Sequence, residues 1–122
     1  MKYKKALLII NLGTPNDPGY FSVFKFLKEF LSDPRVIDIP RIFRILLVNL
    51  IICPFRSFSS SKVYRQMWKA NNNESPIKTN TEKLIQKLQN KLPEYDVHSA
   101  MRYQNPSIKD KLNEILLSNP DE

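Results

Sequence analysis

Ala6-Leu7-Leu8-Ile9-Ile10 is a run of five apolar residues, and Asn11-Leu12-Gly13-Thr14-Pro15 ends it at once. A strand with one wet face alternates apolar and polar side chains. A continuous run is instead buried on both faces, as in a parallel sheet. Parallel strands need a long crossover connection, usually helical, so this run commits the chain to an α/β layout. Pro93-Glu94 leads into a second candidate strand, Tyr95 to Met101. The order is strand, several helices, strand, helix, with right-handed crossovers expected. The fold class read from this is α/β: an incomplete Rossmann-like domain, parallel strands with helices on both faces. Two parallel strands alone make a poor sheet. The expectation is therefore a single domain over residues 1–122 that is truncated.

The intervening segments read as helices with identifiable ends. Asp17-Pro18 can cap and open the first, because Asp accepts from free amides and Pro suits the first helical position. Val23, Phe24, Leu27, Phe30 and Leu31 then recur at helical spacing, and Asp33-Pro34 ends the pattern. Ile37 to Pro40 reads as a short extended piece. Ile42 to Ile52 is apolar nearly all round, which predicts a buried or lip-forming helix that Pro54 breaks. Ser59, Ser60 and Ser61 offer caps for a helix through Val63, Tyr64, Met67 and Trp68. Ala70 to Glu74 reads as a polar loop. Thr79 or Asn80 can cap the next helix, with Leu84, Ile85, Leu88 and Leu92 as its stripe. Asn105-Pro106 opens the last helix, with Ile108, Leu112, Ile115 and Leu116 expected inward. Residues 118–122 have loop character.

Charge and cysteine content narrow the function classes. The formal charge is +7, which favours anionic partners. The lysines are scattered, however, and no dense basic block interleaves with aromatics, so no nucleic acid is expected as partner. One cysteine, Cys53, excludes an internal disulfide and suits a cytoplasmic location. Met1 to Ile10 mimics a signal peptide, but the apolar run is short and no small-residue cleavage site follows. Ile45 to Cys53 falls below the roughly 20 residues of a membrane span.

Several residues admit both a chemical and a plain structural reading. The Asn11–Pro15 loop lies at the carboxyl end of a strand, where ligands bind in open α/β sheets. Gly13 permits close backbone approach and Thr14 adds a hydroxyl. The loop lacks the G-x-G-x-x-G and Walker patterns, and alone it reads equally as a strand-to-helix turn. Arg56 and Arg102, taken singly, read as surface cations with their stems on apolar surface. Tyr64 and Trp68, four apart, read as a core stripe or an aromatic platform. His98 reads as a satisfied or exposed histidine. Cys53-Pro54 reads as a buried small hydrophobe or a thiolate haem ligand. One His and one Cys build no soft-ligand zinc site.

Three phrases in fixed order shift this balance. They are Asn11-Leu12-Gly13-Thr14-Pro15, Phe30-Leu31-Ser32-Asp33-Pro34-Arg35-Val36-Ile37 and Met101-Arg102-Tyr103-Gln104-Asn105-Pro106-Ser107-Ile108. Together they resemble the amino-terminal portion of ferrochelatase, from about Leu7 to Leu117. The resemblance implies a chelatase-type fold and insertion of Fe²⁺ into a porphyrin in haem biosynthesis. It also implies porphyrin contacts at Leu12, Arg56, Tyr64, Ser75 and Arg102, and a lip at the cleft mouth from Ile42 to Phe55. Porphyrin propionates are carboxylates, and an arginine grips a carboxylate with two parallel hydrogen bonds. That lip leaves peripheral membrane contact open. The implied substrates are Fe²⁺ and porphyrin, and no cofactor is expected in this chain.

The departures from the family carry their own expectations. The family's catalytic histidine lies in a later serine-x-histidine motif that does not occur here, and His98 does not match it. No catalytic residue and no metal ligand is assigned. The chain alone is expected not to chelate iron, its partner being the missing carboxyl-terminal half. The alternatives are an inactive remnant that binds porphyrin or a partner chain, and a basic module binding nucleic acid or a membrane surface. Relatives read glycine-serine-proline where this chain has Asn72-Asn73-Glu74-Ser75-Pro76, and M-R-Y-G where it has Gln104. If those backbones need positive φ, each change costs about 1–2 kcal/mol or reshapes the loop. Glu74 would repel a nearby propionate. Only two glycines are present, so few positions suit positive φ.

Overall fold

The computed structural model describes residues 5–118. Its order is β1 (Lys5–Gly13), α1 (Tyr20–Leu31), α2 (Arg41–Leu47), a π turn (Val48–Ile52), α3 (Cys53–Ala70), α4 (Pro76–Lys91), β2 (Tyr95–Tyr103) and α5 (Ile108–Leu117). The chain is mixed α/β, as the apolar run requires, and forms two compact units. One holds β1, β2, α5 and α4 from Ile77 onward. The other is Thr14–Pro76.

In the first unit β1 and β2 pair in parallel, Lys5 opposite Tyr95 and Gly13 opposite Tyr103. Val97, Ala100, Met101, Tyr103 and Ile115 are its buried apolar residues. α5 packs on β2, and Ser107, not the Asn105-Pro106 pair, caps it by accepting from the Asp110 N–H at 3.2 Å. The side chain of Gln89 on α4 serves β2 as a third strand would. Its Nε2 donates to the Tyr95 carbonyl at 2.6 Å and its Oε1 accepts from the Val97 N–H at 3.0 Å. Backbone groups that would otherwise lie unpaired are thereby satisfied.

Three expectations fail in this unit. β1 is half-buried, with Ile10 53% exposed, because among the described residues it pairs with β2 only. Leu84, Leu112 and Leu116 are exposed, leaving Ile115 as the buried anchor of α5. α4 begins at Pro76, which suits a first helical position, so Thr79 and Asn80 lie inside the helix.

In the second unit α1 lies against α3. Val23 and Phe26 are buried on α1, and Val48, Cys53, Ser57, Ser61 and Trp68 along the facing helix. The Tyr20 hydroxyl donates to the Pro54 carbonyl at 2.9 Å, joining the two helix starts. α1 begins later than Asp17-Pro18 suggests. Its cap is Gly19, while Asp17 accepts from the Gly19 N–H at 2.8 Å and from the Ser22 hydroxyl at 2.7 Å. Ile37 to Pro40 forms no strand.

The larger correction concerns Pro54. Arg41–Ala70 is one continuous helix of 30 residues. A proline inside an α-helix lacks an N–H and clashes with the preceding turn. Here it follows a π turn, in which Cys53 N–H bonds the Val48 carbonyl five residues back, and it occupies the opening turn of α3. The same turn sets the burial phase. Five residues in an α-helix advance about 140° past a full turn, which would put Val48 and Cys53 on different faces. The wider turn stacks them, and steps of four then carry the buried face through Ser57 and Ser61. The opposite face is apolar and open: Ile42, Phe43, Leu46, Leu50, Ile51, Phe55 (75% exposed) and Phe58. Of the two expected alternatives, a buried helix fails and an open apolar one is found. By length and composition this helix could cross a membrane, but its Val48–Trp68 side is committed to protein packing.

Candidate functional site

In the first unit the strand ends gather the chemistry. Asn11 pairs with Met101 and Gly13 with Tyr103, so Leu12 and Arg102 are cross-strand neighbours at the carboxyl ends of both strands. Successive side chains on a strand alternate faces, so residues aligned in register share one. Both side chains are exposed. Arg102 Nε donates to the Tyr103 hydroxyl at 3.2 Å, and its guanidinium lies 5.6 Å from the Tyr103 ring centroid. This couples a planar cation to a phenol beside an open leucine, an arrangement suited to a flat apolar ligand with a carboxylate edge.

Asn11 organises this end. Its Oδ1 accepts from the Leu12 N–H at 2.8 Å, and its Nδ2 donates to Thr81 Oγ1 at 3.2 Å. Thr81 in turn donates to the Ile77 carbonyl at 2.6 Å. β1 is thus tied to α4 through a carboxamide. Sequence reasoning passed over Asn11; the available signal was a polar residue directly after an apolar run at the ligand-binding edge.

Gly13 has φ 124°, and a Cβ there would collide with the Tyr103 carbonyl oxygen. Its role is therefore close approach of backbone to backbone across the sheet. His98 Nε2 lies 2.7 Å from Asp96 Oδ2. The two residues are two apart on β2 and share a face. His98 is four residues, roughly 13 Å, from Arg102, away from the strand ends.

In the second unit Arg56 is exposed in the first turn of α3, and Tyr64 lies half-buried two turns further along. Tyr64 packs edge-on against Trp68, with ring centroids 5.9 Å apart and planes at 84°. Burial pushes the Tyr64 phenol pKa up. Trp68 belongs to the core. So does Cys53, whose thiol pKa burial raises against the opposing pull of Lys28. Ser75 is 4% exposed, and its Oγ lies 2.8 Å from Thr14 Oγ1. The pair links the loop after β1 to the loop before α4.

The backbone takes positive φ at three described residues other than glycine. Asn72, Asn73 and Gln104 have φ of 56°, 60° and 65°. Asparagine visits this region with little penalty. The loop is further held by the Asn73 N–H donating to the Trp68 carbonyl at 2.7 Å and by Asn71 Nδ2 donating to the Glu74 carbonyl at 3.0 Å. Glu74 is exposed on it. Among the described residues no three His, Cys, Asp or Glu side chains gather as a metal site.

The ferrochelatase family model matches residues 4–122. Proteins named ferrochelatase from Francisella tularensis subsp. holarctica (strain FTNF002-00 / FTA) and subsp. novicida (strain U112) are 45% and 44% identical over 112 residues. That from subsp. tularensis (strain WY96-3418) is 44% identical over the same length. Each alignment covers 92% of this chain and 34% of the relative. The chain spans about a third of the length of the curated relatives it matches.

Proposed function

The chain belongs to the ferrochelatase family, and from that premise we propose that it carries part of a porphyrin-binding cleft serving Fe²⁺ insertion in haem synthesis. The observation behind this is the register at the carboxyl ends of two parallel strands, where the pairs Asn11–Met101 and Gly13–Tyr103 flank Leu12 and Arg102. Leu12 offers an apolar contact to the macrocycle. Arg102 offers a clamp for a propionate. In the second unit the family likeness proposes porphyrin contacts at Arg56, as a cation, and at the hydroxyls of Tyr64 and Ser75.

Iron insertion releases two pyrrole protons and needs a proton acceptor. The chain's single histidine is engaged with Asp96 on the sheet. The proposal for residues 1–122 is therefore porphyrin binding, with proton transfer assigned to none of its side chains. No resident cofactor enters this reading, and a cytoplasmic location belongs to it. Peripheral attachment to a bilayer belongs to it as well, supported by the open apolar face from Ile42 to Phe55 and testable by vesicle flotation.

Titration with protoporphyrin IX tests the binding reading. Removing Arg102 or Arg56 from a charge-assisted contact should weaken affinity by about 1.5–3 kcal/mol, roughly 10- to 100-fold. Unchanged affinity in both Arg102→Ala and Arg56→Ala would sink the assignment.

A further inference from the structure

The carboxyl end of β2 holds a conformation that its residue does not favour. Gln104 has φ 65° and is 8% exposed. For a long side chain this region is an outlier, kept only where the surroundings over-determine it. They do so here. The Gly13 and Tyr103 backbones are in close approach, with no room for a Cβ between them. Past Gln104 the chain doubles back, and the Met101 N–H donates to the Pro106 carbonyl at 2.7 Å. The last residues of β2 are pinned from both directions, and Gln104 is the bend between the two constraints.

We infer that Gln104 is a positioning residue for Arg102, fixing the direction from which the guanidinium meets a carboxylate-bearing ligand at the strand ends. This rests on the porphyrin reading above. A glycine at this bend would sample both hands of the backbone. The glutamine side chain, 8% exposed, anchors the bend in the interior as a glycine could not, so the Arg102-Tyr103 pair is held before the ligand arrives. Donors held in place in advance bind more tightly than donors ordered on binding. The strain at Gln104 is then the counterpart of a preset Arg102.

The experiment is a protoporphyrin IX titration of the full chain, followed by fluorescence quenching, with a thermal melt of each variant. Gln104→Gly should melt at the same temperature or higher, because strain is relieved, yet bind about fivefold more weakly. Gln104→Asn, which keeps a carboxamide and tolerates the left-handed region, should recover most of the affinity. In the Arg102→Ala background Gln104→Gly should add nothing, since its effect runs through that guanidinium. A merely structural role moves melting and binding together; this one moves them apart. The inference is overturned if Gln104→Gly binds like the wild type, if it melts early, or if it weakens binding equally without Arg102. A wild-type chain that binds no protoporphyrin would instead take down the porphyrin reading itself, and this inference with it.

Discussion

Ser57 sits at full burial in the α1–α3 interface, and its hydroxyl has no hydrogen-bond partner. Removing that oxygen should therefore stabilise the protein. A buried hydroxyl without a partner costs about 1–3 kcal/mol of desolvation. Alanine is also the better helix former, by up to about 0.5 kcal/mol. Against this stands one lost heavy atom, whose few packing contacts are worth about 0.1–0.2 kcal/mol each. The balance for Ser57→Ala is a gain of about 1 kcal/mol, or roughly 3–5 °C in Tm. Urea unfolding followed by Trp68 fluorescence reads it directly. Trp68 is the only tryptophan and lies in the same compact unit, so the probe reports on the helix pair. A loss of more than about 0.5 kcal/mol at unchanged m-value would refute the reasoning. It would mean that the hydroxyl is satisfied, by a buried water for instance.

Gly13→Ala should destabilise by about 3 kcal/mol, from positive φ together with the clash against the Tyr103 carbonyl, read by chemical denaturation. Cys53 should react slowly with a thiol reagent at pH 8 and fast once urea unfolds the chain, because burial raises its pKa and denies access. Asp17 should titrate below the ordinary aspartate range by NMR, since first the Ser22 hydroxyl and then the Gly19 N–H stabilise its charge. Its folded pKa is lowered, so its stabilising effect is present above the unfolded value and lost as pH falls through the folded one. That effect is small, because the carboxylate is exposed. Gln89→Ala should expose the Tyr95 carbonyl and Val97 N–H and cost about 1–3 kcal/mol, visible as faster amide exchange at Val97.

The strands and most helices were legible because their signals are local. Ala6 to Ile10 announces a strand through unbroken apolarity, and the Leu84–Leu92 spacing announces α4. The failures share a cause: each depended on a partner that the local pattern does not name. Proline after an apolar helix reads as a stop, and only the wide turn at Val48–Ile52 shows how the helix continues. Leu112 and Leu116 have helical spacing, but what would cover them is a tertiary matter. The proposed contacts Leu12 and Arg102 were placed by likeness, and the strand register accounts for their adjacency. Nothing in the sequence signals that the Gln89 carboxamide serves as a surrogate strand, because any exposed glutamine looks the same. The expectation of positive φ near residues 72–76 and at Gln104 came from the likeness alone, since neither segment carries a glycine to announce it.

The wide turn at Val48–Ile52 also separates two demands that one helix would otherwise have to meet together. A regular helix fixes every side chain's bearing relative to every other, so re-aiming the apolar face at Ile42–Ile51 would also turn Arg56 and Tyr64. A surplus residue acts as a spacer between two independently phased gears. The upstream face can be rotated by losing or keeping that single residue, while the downstream half stays seated on α1 through Ser57, Ser61 and Trp68. Variation in length at this point should therefore change which way the lip points while sparing the residues that follow. Substitutions elsewhere in the helix have no such freedom.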